Sequence, residues 1–386
     1  MNRILATVLT CHFLGAFTVL GMPVYLPQLL TEMGASNQSA WVGFLFAWPT
    51  LLTAISAPWW GRFSDRHGRR LSLTRALIGL SMAFVAAGLS QTMLQLFASL
   101  TVQGLMGGTL SAANAYLAST KNNQTLASQL NWTQFSARLA LVCAPVLLAW
   151  FVQGQPLQRI YLGLALLPLL GALLTFTLPK DLPAVEAHQT NTSKHCPPAI
   201  MIGVHGLFSL AMVVTFPYFL PYSQQAGFSL QAMALLFVLP HAVYLIAQSL
   251  LKTPDMPWLS QAQLGLLSLM LSAGLQWWIL NATAILIARV LMGIGMWLTY
   301  QGLHRWVAAS LPRQHAGQWL GGLDSIGKLA GVLAGLLAGL SIPVTSLSTP
   351  FLISAISSLM AALVLLYFTS TLGKDSSPCT SNTLHN

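Results

Sequence analysis

Charge is what this sequence has least of. Only 6% of its 386 residues are Asp, Glu, Lys or Arg, while 55% are hydrophobic. A water-soluble domain carries charge on about a quarter of its residues, so an ordinary globule with a polar shell is excluded and the solvent must be lipid. Acids are scarcest, 7 against 17 Lys and Arg. No nucleophile, base and acid cluster is visible, which argues against an enzyme. Cysteine is also rare: Cys11, Cys143, Cys196 and Cys379 stand in separate segments, with no spacing that suggests a metal site or a disulfide framework.

What is present is apolar sequence in long runs. A membrane-spanning helix needs roughly 20 mostly apolar residues. Segments of that size lie near 5–30, 40–60, 72–90, 94–118, 127–151, 158–178, 200–221, 230–251, 259–279, 283–304, 316–340 and 349–370, which predicts twelve spans in an all-α integral membrane protein. The first segment holds Pro23 and Pro27 and no small-x-small cleavage site, so it is expected to stay as a helix rather than be removed as a signal. With the N-terminus inside, Arg3, Arg62, Arg66, Arg69, Arg70, Arg75, Lys121, Lys180, Lys194, Lys252, Arg305, Arg313 and Lys374 fall on the cytoplasmic side and only Arg159 falls outside. Short cytoplasmic loops retain Lys and Arg, so topology accounts for the net charge of +10 without a nucleic-acid partner. Both termini are expected in the cytoplasm, and the membrane is expected to be the inner one.

One stretch, 179–198, is polar enough to read as a cytoplasmic linker. It divides the chain into six-helix bundles at 1–178 and 199–372, with a tail at 373–386, and the two bundles resemble one another. Arg138 and Lys328 coincide at an offset of 190, Leu45-Phe46-x-x-Pro49 and Leu236-Phe237-x-x-Pro240 at 191, and Pro23-x-Tyr25-Leu26-Pro27 and Pro217-x-Phe219-Leu220-Pro221 at 194. His12 and His205 also correspond. Six spans per copy is an even number, so both copies enter the membrane in the same sense.

Between the second and third segments lies Gly61-Arg62-Phe63-Ser64-Asp65-Arg66-His67-Gly68-Arg69-Arg70. This run resembles the G-x-L-[SA]-D-[RK]-x-G-[RK]-[RK] loop of the major facilitator superfamily, in the same place between spans two and three, with Phe63 for the usual Leu. Gly61 and Gly68 permit a tight turn, the arginines hold it at an anionic leaflet, and Asp65 is an acceptor able to cap a neighbouring helix. The resemblance implies a transporter working by alternating access, in which Asp65 latches onto the eleventh span and Gly61, Arg66, Gly68, Arg69 and Arg70 complete the gating motif. Two further family patterns are incomplete. The fifth span keeps small residues and Pro145 but not the glycines of antiporters, and the fourth has Leu100 where R-x-x-Q-G has its arginine, ahead of Gln103-Gly104. Its repeat mate in span ten, Arg289 before Gly293, has the cation.

Ionisable groups at membrane depth are costly and carry a functional presumption. They are Arg138, Arg289, Asp324 and Lys328. Asp324 and Lys328, four apart, form a local pair if both face one side. Three cations against one anion call for an anionic guest, with Arg138 and Lys328 approaching from the two halves; Arg289 either joins them or bonds backbone carbonyls. Tyr25, Tyr218, Gln103 and Asn114 are candidate lining residues, and Asp324, His12 and His205 are candidates for proton coupling. The drug and metabolite efflux branch is most similar, and cation-drug pumps of that branch carry acids in spans one or four, which this chain lacks. The expected activity is therefore proton-coupled efflux of a small organic anion such as a carboxylate siderophore, by a monomer using the proton gradient and no metal or cofactor. The alternatives are multidrug efflux, uptake of an organic anion or sugar by symport, or a non-transporting receptor on the same fold.

Overall fold

The computed structural model describes residues 3–34, 38–119, 123–152, 155–180, 198–216, 218–252, 254–311 and 316–374. The described residues are helical with short connections and no strand. In chain order the helices are α1 (Arg3–Gly21), α2 (Leu26–Glu32), α3 (Gln38–His67), α4 (Arg69–Gly88), α5 (Met93–Met106), α6 (Thr109–Ala118), α7 (Asn123–Val152), α8 (Leu157–Thr175), α9 (Pro198–Val213), α10 (Phe219–Gln225), α11 (Leu230–Leu250), α12 (Trp258–Trp278), α13 (Ala282–Ser310), α14 (Ala316–Ser341) and α15 (Thr349–Lys374). Among the described residues eight segments are long and apolar enough to cross a membrane by length and composition alone. Twelve spans result when α1 with α2, α5 with α6, and α9 with α10 are each counted as one broken span.

The breaks have local causes. Met22–Tyr25, holding Pro23, forms a 3-10 turn between α1 and α2, as expected where proline removes a backbone donor. The first span's repeat mate is likewise interrupted, with Val214–Phe216 in a turn after α9. The fourth span reads in the sequence as one helix, yet it is cut at Gly107-Gly108, where Gly108 takes a left-handed φ of 96° that only glycine adopts at little cost. The sequence reading also places Gly61 in the interhelical loop. Instead α3 runs on to His67, and Gly68, at φ 103°, is the whole turn before α4.

Two compact units emerge. The first contains 1–183 and 311–332, the second 184–310 and 333–386. Their boundary falls in the expected linker, of which 181–197 lie outside the described residues, as do 375–386 of the tail. The halves read from sequence differ in one respect: 311–332, including Lys328, group with the first unit, so Arg138 and Lys328 do not come from opposite units.

In the first unit α1 packs on α7 and α8, and α4 on α5 and α8, around cores that include Phe17, Leu29, Leu45, Phe84, Leu96 and Tyr161. In the second, α12 packs on α13 and α15, and α11 on α13. Gly265, Gly295 and Gly302 let α12 and α13 approach so closely that an added methyl at Gly302 would lie 2.6 Å from the Trp258 carbonyl oxygen.

Prolines inside helices free carbonyls four residues back, and in lipid each needs a new donor. For two of them a neighbouring helix supplies it. Pro58 frees the Ala54 carbonyl, and Ser325 Oγ of α14 donates to it at 2.5 Å. Pro240 frees the Leu236 carbonyl, and Arg289 Nε of α13 donates to it at 2.8 Å. Near Pro168 of α8, Ser81 Oγ of α4 donates at 2.8 Å to the Ala165 carbonyl, one residue past the one that the proline frees.

Candidate functional site

The first unit gathers polar groups from three spans. His12 of α1 is only 2% exposed, and its Nδ1 lies 3.0 Å from Ser136 Oγ of α7. Ser136 Oγ donates to the Leu9 carbonyl at 3.1 Å. A hydroxyl has one proton, so the Nδ1 of His12 carries the hydrogen and its Nε2 is left as acceptor. Asp324 and Lys328 of α14 are the charged groups in whose field this imidazole sits. They form the i, i+4 ion pair that their spacing suggests, with the carboxylate the more buried partner. Arg138 lies two residues beyond Ser136 on α7 and is half-buried. Nearby in sequence, Thr133 bonds Asn114 of α6 at 2.6 Å. His12, Ser136, Arg138, Asp324 and Lys328 therefore put an imidazole, a carboxylate and two cations into one apolar unit.

The remaining expected residues are placed as follows. Tyr25 ends the 3-10 turn and packs half-buried on the first unit's core; Gln103 is half-buried on α5. Tyr218 and His205 belong to the second unit, where Tyr218 stands just before α10 and an added methyl at Gly339 would lie 3.3 Å from its hydroxyl.

Arg289 departs from its expected role as a substrate ligand. It is 1% exposed; besides Nε to Leu236, Nη2 donates to the Phe237 carbonyl at 2.8 Å, Nη1 approaches Met292 Sδ at 3.3 Å, and the guanidinium lies 4.1 Å from the Phe219 ring centroid. Its donors close the gap that Pro240 opens, so the carbonyl alternative describes it and it drops out of the binding set.

Asp65 joins two elements at once. Its Oδ1 pairs with Arg69 at 3.4 Å, and the Gln318 N–H in the first turn of α14 donates to its Oδ2 at 2.9 Å. A carboxylate there satisfies an orphan donor and faces the positive end of the helix dipole. Below it runs a seam of small residues. An added methyl at Gly321 would come within 2.7 Å of the Ala57 carbonyl oxygen and 3.5 Å of Gly61 Cα, and Ser325 meets Ala54 one turn further. Gly61 is thus a packing position rather than a turn. Arg70 donates to the Leu178 carbonyl at 2.9 Å, and Arg66 is exposed. Glu32 at the end of α2 accepts from the Leu157 N–H at 3.1 Å and caps α8.

Sequence reasoning missed Ser136 and Ser325. Isolated serines in apolar helices look like any tolerated small residue; the only signal was small residues spaced by four, Gly317, Gly321 and Ser325.

Several known proteins are similar. The human organic anion transporter MFSD10 (TETRAN) has the same fold, with a TM-score of 0.80 and 18% identity over 94% of this chain and 99% of that one. The proton:xylose symporter XylE gives a TM-score of 0.78 at 14% identity, covering 95% of each chain. In sequence, 120 residues are 36% identical to the multidrug resistance protein MdtG of Yersinia enterocolitica, 30% of this chain and 29% of that protein. For MdtG of Serratia proteamaculans the identity is 37% over 113 residues, 28% of this chain and 27% of the relative. These alignments thus span under a third of either relative's length. The model of the Major Facilitator Superfamily matches residues 8–260, more than half of the chain. The chain belongs to the Major Facilitator Superfamily, whose members are multi-pass membrane transporters and not enzymes.

Proposed function

We propose that this protein moves a small organic anion outward across the inner membrane by alternating access, in exchange for protons. The observation that carries the reading is the cluster in the first unit, where His12, hydrogen-bonded to Ser136, shares an apolar setting with the Asp324–Lys328 pair. Imidazole and carboxylate are the two side-chain types that exchange protons near neutral pH at modest perturbation. The same unit holds two cations within apolar spans, Arg138 and Lys328, to one carboxylate, Asp324, and a carboxylate-bearing cargo such as a siderophore would suit that excess of positive charge. Protonation of Asp324 would loosen its hold on Lys328 and so couple proton entry to cargo release. Asn114, Gln103 and Tyr25 supply hydrogen-bonding groups in the same unit, and Tyr218 and His205 are the candidates of the second. Asp65 on Gln318 is the bond proposed to break in each cycle. Activity as a monomer driven by the proton gradient alone belongs to the same proposal.

Multidrug efflux is the second reading, favoured by the identity to MdtG. Proteoliposomes holding the full chain separate the two. Proton-driven flux of a tricarboxylate siderophore should exceed that of a lipophilic cation and fall about tenfold or more in Arg138→Ala and Lys328→Ala, the loss of one charge-assisted contact. Flux of the anion unchanged in both variants ends the anion reading, and proton-driven flux of the cation alone establishes the second.

A further inference from the structure

The fourth span is broken where its repeat mate is not. Counting from Gly104 and Gly293, Gly107-Gly108 stands where the second unit has Met296-Trp297, both buried inside the unbroken α13. When a helix stops within a membrane, its last carbonyls lose their intrahelical donors and each needs one from outside. Side chains of two helices supply them in sequence order. Thr53 Oγ1 of α3 lies 3.0 Å from the Gly104 carbonyl, and Trp60 Nε1 of α3 donates to that of Leu105 at 2.6 Å. Arg75 Nη1 of α4 donates to the Met106 carbonyl at 2.7 Å and lies 3.4 Å from that of Gly107. The Arg75 guanidinium is 3.5 Å from the Trp60 ring centroid, so these two donors brace each other. One turn beyond Arg75, Gly79 presses on Met106 with no room for an added methyl. The sequence reading assigned Arg75 to topology alone, yet it is half-buried and grips the end of α5.

The two sides of the break keep different company. Before it, α5 packs on α3 and α4, the helices that carry the donors; past it, α6 also reaches α1 and α7. Asn114 of α6 accepts from Thr133 of α7 at 2.6 Å, and an added methyl at Gly15 of α1 would lie 3.1 Å from Thr109 Cγ2. Helices α1 and α7 hold His12, Ser136 and Arg138. The link between the two sides is a pair of glycines, the second at φ 96° with no side-chain cap on α6. Such a pair changes its dihedrals at little cost, whereas an intact helix would have to break its own ladder to bend. We propose that Gly107-Gly108 is a hinge on which α6, with α1 and α7, turns against α3, α4 and α5, and that Trp60 and Arg75 are the clamp that holds it in the arrangement seen here. The motion belongs to the first unit, since α13 has neither the glycines nor the break.

Distance measurements on the full chain in nanodiscs test this without any cargo, so the outcome is independent of what the protein carries. Spin labels are introduced through a non-natural amino acid at two pairs of exposed positions. Leu71 of α4 with Ser128 of α7 reports across the hinge, and Leu71 with Leu94 of α5 stays on one side of it. Across the hinge a second distance should gain population at least about tenfold in Arg75→Gln, which loses a charged donor, and about fivefold in Trp60→Phe, which keeps the ring but loses the N–H. The one-sided pair should keep a single distance throughout. If Arg75→Gln does not fold, Trp60→Phe decides alone. A clamp that served stability only would lower the unfolding temperature and leave one distance across the hinge. That result, or a second distance that grows equally in both pairs, overturns the proposal.

Discussion

The two copies of the repeat keep one packing contact and solve its polar problem differently. In the first unit Pro49 of α3 faces Gly104 of α5, and an added methyl on Gly104 would lie 2.7 Å from the Pro49 carbonyl oxygen. In the second, Pro240 of α11 faces Gly293 of α13, and the same methyl would lie 2.7 Å from the Pro240 carbonyl oxygen. Around this shared node the copies diverge. The second unit places Arg289 on the carbonyls of Leu236 and Phe237, and α13 continues unbroken for 29 residues. The first has a buried Leu100 at the matching position and Thr53 Oγ1 within 2.8 Å of the Pro49 carbonyl and 3.0 Å of the Gly104 carbonyl, and its fourth span breaks three residues on. Steric fit between glycine and a proline kink is strict because backbone atoms cannot give way, whereas the carbonyls around the kink accept whichever donor lies within reach. Duplication has therefore preserved the packing and left the hydrogen bonding free to change.

The sharpest way to break this comparison is Arg289→Leu, which installs the first unit's residue in the second. It removes two backbone hydrogen bonds from a charged, buried donor and leaves the Leu236 carbonyl bare, so a loss of about 3 kcal/mol or more is expected, read as a lowered unfolding temperature in detergent. A neutral result would mean that Pro240 needs no donor. Next come Gly104→Ala and Gly293→Ala, each expected to cost about 1–3 kcal/mol by overpacking, and by similar amounts. If one is silent, the two nodes are not equivalent. Ser325→Ala tests a weaker donor on a proline-freed carbonyl, with about 1 kcal/mol expected in the same measurement. The smallest stability effect, a few tenths of a kcal/mol, is expected for Asp65→Asn, which keeps an oxygen for Gln318 but loses the charge facing the α14 dipole. Initial-rate measurements in proteoliposomes should nevertheless show slower turnover with little change in apparent substrate affinity, and a normal rate would remove Asp65 from the proposed cycle.

Much of this was legible before any coordinates. The Asp65 contact with the eleventh span could be anticipated because the loop resembles that of the major facilitator superfamily, which implies such a latch; the residues alone indicated only an acceptor able to cap a neighbouring helix. The repeat was visible because prolines and paired cations punctuate apolar segments that otherwise differ freely. The Asp324–Lys328 pair followed from spacing alone, since residues four apart on a helix are neighbours whatever surrounds them. Arg289 was ambiguous for the opposite reason: whether a buried guanidinium meets a guest or a carbonyl depends on which helix lies beside it. Gly61 was misassigned to a turn because glycine serves turns and close packing equally well, and only Gly321 opposite decides between them.

The length of the apolar runs determined that the chain lives in lipid and crosses it as helices, because in a medium without water backbone groups must be satisfied within the segment, and the motifs recurring about 190 residues apart showed a doubled set of spans. Only the tertiary structure decided where that rule is broken and who repairs it, Ser325 at Ala54 and Arg289 at Leu236, and that His12 stands beside Ser136. Those partners stand far apart in the chain, and a hydrogen bond is made only where folding brings donor and acceptor within about 3 Å.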